Sequence, residues 1–179
     1  MATRISPQRI ALAGLLTAGS LLASFIQIPI FPAAPWLCYD PSGVICLIAA
    51  LVFGPGLGVA VAIISWIPRM FLDPFGVIMG ILNTCAFIVP AAIIYEKSRK
   101  SRAGSIAGMV VGAVAAIVLS CAANLIITPL YTPVPVETVV QMIIPILLPF
   151  NALKMLINVV AGQVLLAPCM SVLSAHTHA

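Results

Sequence analysis

Asp, Glu, Lys and Arg are missing from five long stretches of this chain: 10–39, 41–68, 74–95, 103–136 and 155–179. A domain dissolved in water needs charge over much of its surface, and about a quarter of its residues are usually charged. Here charged residues make up 7% of the sequence and hydrophobic ones 63%. The solvent for most of the chain is therefore a lipid bilayer. Backbone N–H and C=O groups in hydrocarbon have to be satisfied within the protein, and a helix does this locally. The sequence reads as an all-α integral membrane protein.

A spanning helix takes roughly 17–25 residues, so the charge-free runs supply five or six spans. Proline and glycine punctuation favours six: 10–28, 41–53, 58–71, 74–95, 105–127 and about 139–173. The second and third are short for a crossing, and "GPGLG" (54–58) between them reads as a tight turn. The last is too long for one span. Pro145 and Pro149 divide it into a short outer helix and a main helix beginning near Pro149, since proline is favoured in a first helical turn. The N-terminus imitates a signal peptide, but its apolar stretch exceeds the usual core of roughly 7–15 residues, so it is read as a retained first helix. The expectation is one compact bundle of six transmembrane helices, a single domain over 1–179.

Orientation follows from the basic residues. Arg4 and Arg9 precede the first span and "EKSRKSR" (96–102) follows the fourth. An even number of crossings puts both on one side, the cytoplasm by the positive-inside rule, and six spans put both termini there. The loops 29–40, 69–73 and 131–137 then face outward. Topology accounts for most of the basic residues, so the net charge of +4 gives no nucleic-acid signal. The five cysteines are scattered with no CxxC pair and read as small buried hydrophobes. His176 and His178, two apart in a terminal tail, are a weak pattern for metal.

Small residues mark helix contacts. Gly104, Gly108, Gly112, Ala116, Ser120 and Asn124 recur every four residues, giving one face that permits close helix approach. Gly14/Ala18 and Gly19/Ala23 do the same in the first helix, toward either an internal neighbour or another membrane protein.

Polar residues at membrane depth are few: Asn83, Asn124, and then Asn151, Lys154 and Asn158, whose spacing of three and four puts them on one helical face. Lys154, in "PFNALKMLIN", is the only basic residue in the C-terminal third. Its ammonium has three possible fates. It reaches outward to the interface along its own stem; it pairs with Asp40, Asp73 or Glu137; or it faces a cavity and meets a polar ligand beside the asparagines. Intramembrane ionisable groups are functional candidates by default, and asparagine offers both donors and an acceptor, which suits a heterocycle with mixed edges. The outer segments "FPAAPWLCYDPSG" and "NLIITPLYTPVP" add Trp36, Tyr39, Asp40 and Tyr131, either as covers for a flat ligand or as an interfacial aromatic belt.

Four segments, "YDPSGVICLIAALVFGPGLG", "GVIMGILN", "NLIITPLY" and "PFNALK", occur in an order that covers nearly the whole chain. In these the chain resembles the substrate-binding S components of energy-coupling factor vitamin transporters, and among them the riboflavin-specific type. The resemblance implies a six-helix bundle that takes a vitamin from outside, partnered by a transmembrane coupling subunit and two cytoplasmic ATPases. It implies that Asn151 and Lys154 contact riboflavin and suggests Asn83, with Asn124, Tyr131, Tyr39 and Asp40 as further contacts. It also implies that Gly14 and Ala18 face the coupling subunit; the family usually carries alanine at both positions.

The sequence contains no GxxxxGK[ST] phosphate loop, so energy for active transport has to come from partners. No enzymatic activity, cofactor or metal is expected, and the flavin is cargo. Three other readings compete: another vitamin such as pantothenate, folate or biotin; a secondary transporter acting alone; and an intramembrane aspartyl peptidase in which Asp40 and Asp73 share a proton.

Overall fold

The structure, a computed structural model, describes residues 7–32, 34 and 37–177. Arg4, Trp36 and His178 lie outside the described residues. The helices are α1 (Pro7–Ser24), α2 (Ser42–Phe53), α3 (Pro55–Trp66), α4 (Pro74–Lys97), α5 (Arg102–Tyr131), α6 (Val136–Met142) and α7 (Leu148–Thr177). A 3₁₀ segment, Ile67–Phe71, extends α3, and a π-helical segment, Ile143–Leu147, joins α6 to α7. That joint falls where Pro145 and Pro149 were expected to divide the last helix. Among the described residues, the all-α expectation holds apart from one antiparallel ladder in the α1–α2 connection, pairing Ile28 with Tyr39 and Pro29 with Cys38.

Among the described residues, three helical stretches are long and apolar enough to cross a bilayer: Pro74–Lys97, Arg102–Tyr131 and Val136–Ser171. Helices α2 and α3 have 12 residues each, roughly 18 Å at 1.5 Å per residue, which is shorter than a hydrocarbon core of about 30 Å. Most of α2 is buried, from Ser42 through Leu51 with Ile45 half-buried, and it contacts α1, α3, α4 and α7. Its Leu47 and Ile48 share one core cluster with Phe87, Ile88, Met109 and Met155 from the surrounding helices. An all-apolar helix surrounded by other helices needs no polar face.

The expected five-residue turn between α2 and α3 contracts to one residue. Gly54 adopts φ 98° and ψ 163°, a conformation that residues with a Cβ avoid. Pro55 then opens α3, where its missing N–H costs nothing. Gly58, read as the end of the turn, instead lies one helical turn inside α3. A Cβ there would overlap Ala50 of α2, so the second glycine sets the distance between the two helices.

The small-residue stripe of α5 is buried against α4. A Cβ on Gly108 would lie 2.6 Å from the carbonyl oxygen of Ala91, and one on Gly112 would collide with that of Phe87. In α1 the two small pairs part company. Gly19 approaches Ile45 of α2 and Ala23 is buried, whereas Gly14 and Ala18 are exposed, with nothing near a Cβ built on Gly14. Buried serines join the shorter helices: Ser20 Oγ donates to Ser65 Oγ at 3.0 Å and lies 3.2 Å from Cys46 Sγ.

Candidate functional site

The start of α4, the ends of α3 and α5, the α1–α2 connection and the α6–α7 joint surround a cavity of about 520 Å³. This is within the range of roughly 300–1,000 Å³ typical of small-molecule sites. The basic turn 98–101 lies at the other end of α4. Asn83 reaches the cavity from about 14 Å along α4 at 1.5 Å per residue, so the space penetrates well into the bundle.

Helix α7 contributes Asn151 and Lys154. The Asn151 side chain donates to the carbonyl of Leu147 at 2.7 Å. It thereby caps the π-helical joint and leaves its own carbonyl oxygen for another donor. Lys154 donates to Asp40 Oδ2 at 3.1 Å, and the two side chains are only 14% and 9% exposed. Ser42 donates to the other Asp40 oxygen. Two of the fates considered for the lysine thus coincide: it is paired with Asp40 and it lines the cavity. Burying such a pair is tolerable only when further hydrogen bonds satisfy its remaining atoms. Asp40 gains one from Ser42, and two ammonium hydrogens remain for other acceptors.

Helices α4 and α5 supply a second polar cluster around Ser120. Asn83 donates to the Ser120 hydroxyl, while Asn124 donates to the Ser120 carbonyl at 2.7 Å and accepts from Thr128 at 2.9 Å. Both amides line the cavity. Close α4–α5 packing makes this possible, because the last small residue of the α5 stripe is the serine that Asn83 reaches. Tyr131, 53% exposed, stacks on Phe75 with ring centroids 5.1 Å apart at the rim.

Two of the polar and aromatic candidates stand outside the cavity lining. Asn158 shares a helical face with Asn151 and Lys154, but it is 1% exposed and outside the cavity lining. It accepts from Tyr39 Oη at 3.0 Å, and its amide packs against Gly43. Tyr39 likewise lies behind the wall. One helical turn carries a residue along the axis as well as around it, and α2 closes over α7 at that depth. Burial, aided by the neighbouring Asp40, pushes the Tyr39 phenol up to about 12.

The sequence reading missed Trp66, Arg69, Phe75 and Ser120, all of them lining residues. The sequence places Arg69 only in an outward-facing loop. It is 7% exposed, donates to the Ser24 carbonyl at the end of α1, and lies 5.2 Å from the Trp66 ring centroid and 5.7 Å from that of Phe25. The available signal was an arginine three residues from a tryptophan in "SWIPRMF", aromatic company that suits a partly desolvated guanidinium. With Arg69, the lining carries two cations, Arg69 and Lys154, and two carboxylates, Asp40 and Asp73. These charges balance.

The peptidase reading requires the two carboxylates to share a proton. Asp40 is instead engaged by Ser42 and Lys154, and Asp73 caps α4 by accepting from the Gly76 N–H at 2.8 Å.

Comparison with known proteins agrees with the geometry. Residues 8–166 match the family described as ECF transporter, substrate-specific component. A relative in Staphylococcus aureus (strain TCH60), described as riboflavin transporter RibU, is 29% identical over 99 residues, covering 54% of this chain and 52% of that protein. The chain thus spans about half the length of that curated relative. A solved structure, described as the S component of a bacterial ECF transporter, superposes with a TM-score of 0.79 at 26% identity, over 93% of this chain and 97% of the other.

Proposed function

This chain belongs to the substrate-specific components of ECF transporters, a family of membrane transport proteins rather than enzymes, and from that premise we propose that it captures riboflavin from outside the cell. One observation carries the reading: Asn83, Asn124, Asn151 and Lys154, from three different helices, converge on a single cavity large enough for a vitamin. Amides that both donate and accept match the alternating carbonyl and N–H edge of a flavin ring, and the ammonium hydrogens left over from Asp40 match its oxygens or the ribityl hydroxyls. Phe75 and Tyr131 offer aromatic surface at the rim.

Charge balance favours riboflavin over the other vitamins considered. Pantothenate, folate and biotin carry carboxylates, whereas among the described residues the lining has no surplus cation to receive one. Riboflavin is uncharged. In this reading all six helical bodies cross the membrane, with α6 and α7 counted as one, both termini lie in the cytoplasm of a bacterial cell, and the cavity opens outward. The exposed Gly14–Ala18 face of α1 meets a transmembrane coupling subunit, through which two ATPases supply the energy that reorients the bundle.

Riboflavin fluorescence tests the proposal. The purified protein is expected to quench it saturably below micromolar vitamin, with Lys154→Ala weakening binding at least about tenfold, or about 1.4 kcal/mol. Absence of saturable quenching, with a thermal shift from another vitamin instead, would remove the riboflavin assignment.

A further inference from the structure

A loop in water turns its charge outward and its aromatic ring inward. Between α3 and α4 the polarity of "IPRMFLD" is reversed. Arg69 is 7% exposed, whereas Phe71 is 91% and Leu72 74% exposed. The backbone holds this arrangement, since the N–H groups of Leu72 and Asp73 both donate to the Arg69 carbonyl at 2.9 Å. The Arg69 guanidinium donates to the Ser24 carbonyl and lies 5.7 Å from the centroid of the Phe25 ring. Those contacts set the end of α1 beside the tip, where Phe25 and Ile26 are themselves exposed. An apolar surface of this kind marks a contact with something other than water.

Two observations identify the occupant. The tip continues an exposed stripe of α3, because Ile63, Ile64 and Ile67 precede Met70 and Phe71 at helical spacing and are all exposed. Length agrees with this. Helix α3 has 12 residues and its 3₁₀ extension 5, together about 28 Å at roughly 1.5 and 2.0 Å per residue. A hydrocarbon core is about 30 Å thick, so with the Gly54 turn at one edge Phe71 reaches the other. Asp73, exposed and capping α4, then stands on the water side. We propose that Phe71 and Leu72, with Phe25 and Ile26 beside them, insert into the boundary layer of the bilayer at the cavity end of the bundle, where acyl chains meet headgroups. Apolar side chains are favoured there, and the one cation of the tip is folded inward onto a carbonyl and aromatic rings. This anchor sets the depth of the cavity mouth, because the lining residues Asp73 and Phe75 follow it directly in the chain.

Phe71→Trp puts a fluorescent reporter on the tip, and the parent protein with its own two tryptophans supplies the baseline. The protein alone, without vitamin, is reconstituted into vesicles of phosphatidylcholine brominated along its acyl chains. The added fluorescence is expected to be lost, more completely with bromines near the headgroup end than near the chain ends, while iodide in the water leaves it unchanged. Quenching by iodide with none from brominated lipid overturns the anchor and gives the tip to water or to a partner protein. Stronger loss with bromines near the chain ends overturns the boundary position. If Phe71→Trp does not fold, Leu72→Trp decides by the same readout. Riboflavin takes no part in the measurement, so failure of the vitamin reading leaves this inference standing.

Discussion

At the scale of single residues, the site depends on which polar atoms are already engaged. Lys154 is held by Asp40, Asp40 is shared with Ser42, and Asn151 is turned by its bond to Leu147. Each therefore presents a defined remainder to the cavity. Tyr39 and Asn158 form the support behind that wall. The Tyr39 phenol is raised from the ordinary 10.0 to about 12, so the folded protein favours its neutral, donating form. The associated stability is complete below pH 10.0 and is lost as pH rises through about 12. Thermal unfolding followed between pH 9 and 12 is expected to show a fall in stability above 10 that is reduced in Tyr39→Phe. An identical alkaline fall in both proteins would assign it to other groups. The legibility of the site divides along the same line. Asn83, Asn124, Asn151 and Lys154 stood out because polarity in an apolar run is visible in one dimension, whereas Asn158 shared the pattern and points elsewhere.

At the scale of elements, small residues decide which helices touch. The four-residue stripe of α5 meets α4 so closely that a Cβ on Gly112 would strike the backbone at Phe87. The pair Gly14 and Ala18 on α1 faces outward. Leucine at each glycine should therefore act oppositely. Gly112→Leu is expected to destabilise the folded protein by about 1–3 kcal/mol or more, because overpacking against backbone has no easy relief. It should weaken riboflavin binding too, since Asn83 and Ser120 are held in register by the same helix pair. Gly14→Leu should leave thermal stability and riboflavin quenching unchanged while reducing co-purification with the coupling subunit. Undiminished co-purification would remove α1 as the partner face. Spacing alone leaves the two α1 pairs equivalent, because it marks a smooth face but does not say what lies against it; only the family resemblance sets Gly14 and Ala18 apart.

At the scale of the whole molecule, three long helical stretches and two short apolar helices enclose a polar space at one end. The basic turn 98–101 closes the other end, with Arg99 and Lys100 both at positive φ. The proposed orientation puts that turn in the cytoplasm. A protease site inserted there should resist protease added outside intact cells and be cut only after permeabilisation. Cutting in intact cells would invert the topology and turn the cavity inward.

Chemistry at each position along the chain was enough to establish a bilayer as the solvent, helices as the elements and the small set of intramembrane polar residues, because the absence of charge and the punctuation by proline and glycine are local facts. Tertiary structure alone decided that α2 is the buried centre, that Asp40 meets Lys154 across 114 positions of sequence, and that Trp66 and Arg69 belong to the cavity. Those outcomes depend on how closely helices approach and in which direction each side chain leaves its axis. Neither distance nor direction exists until the faces are packed together.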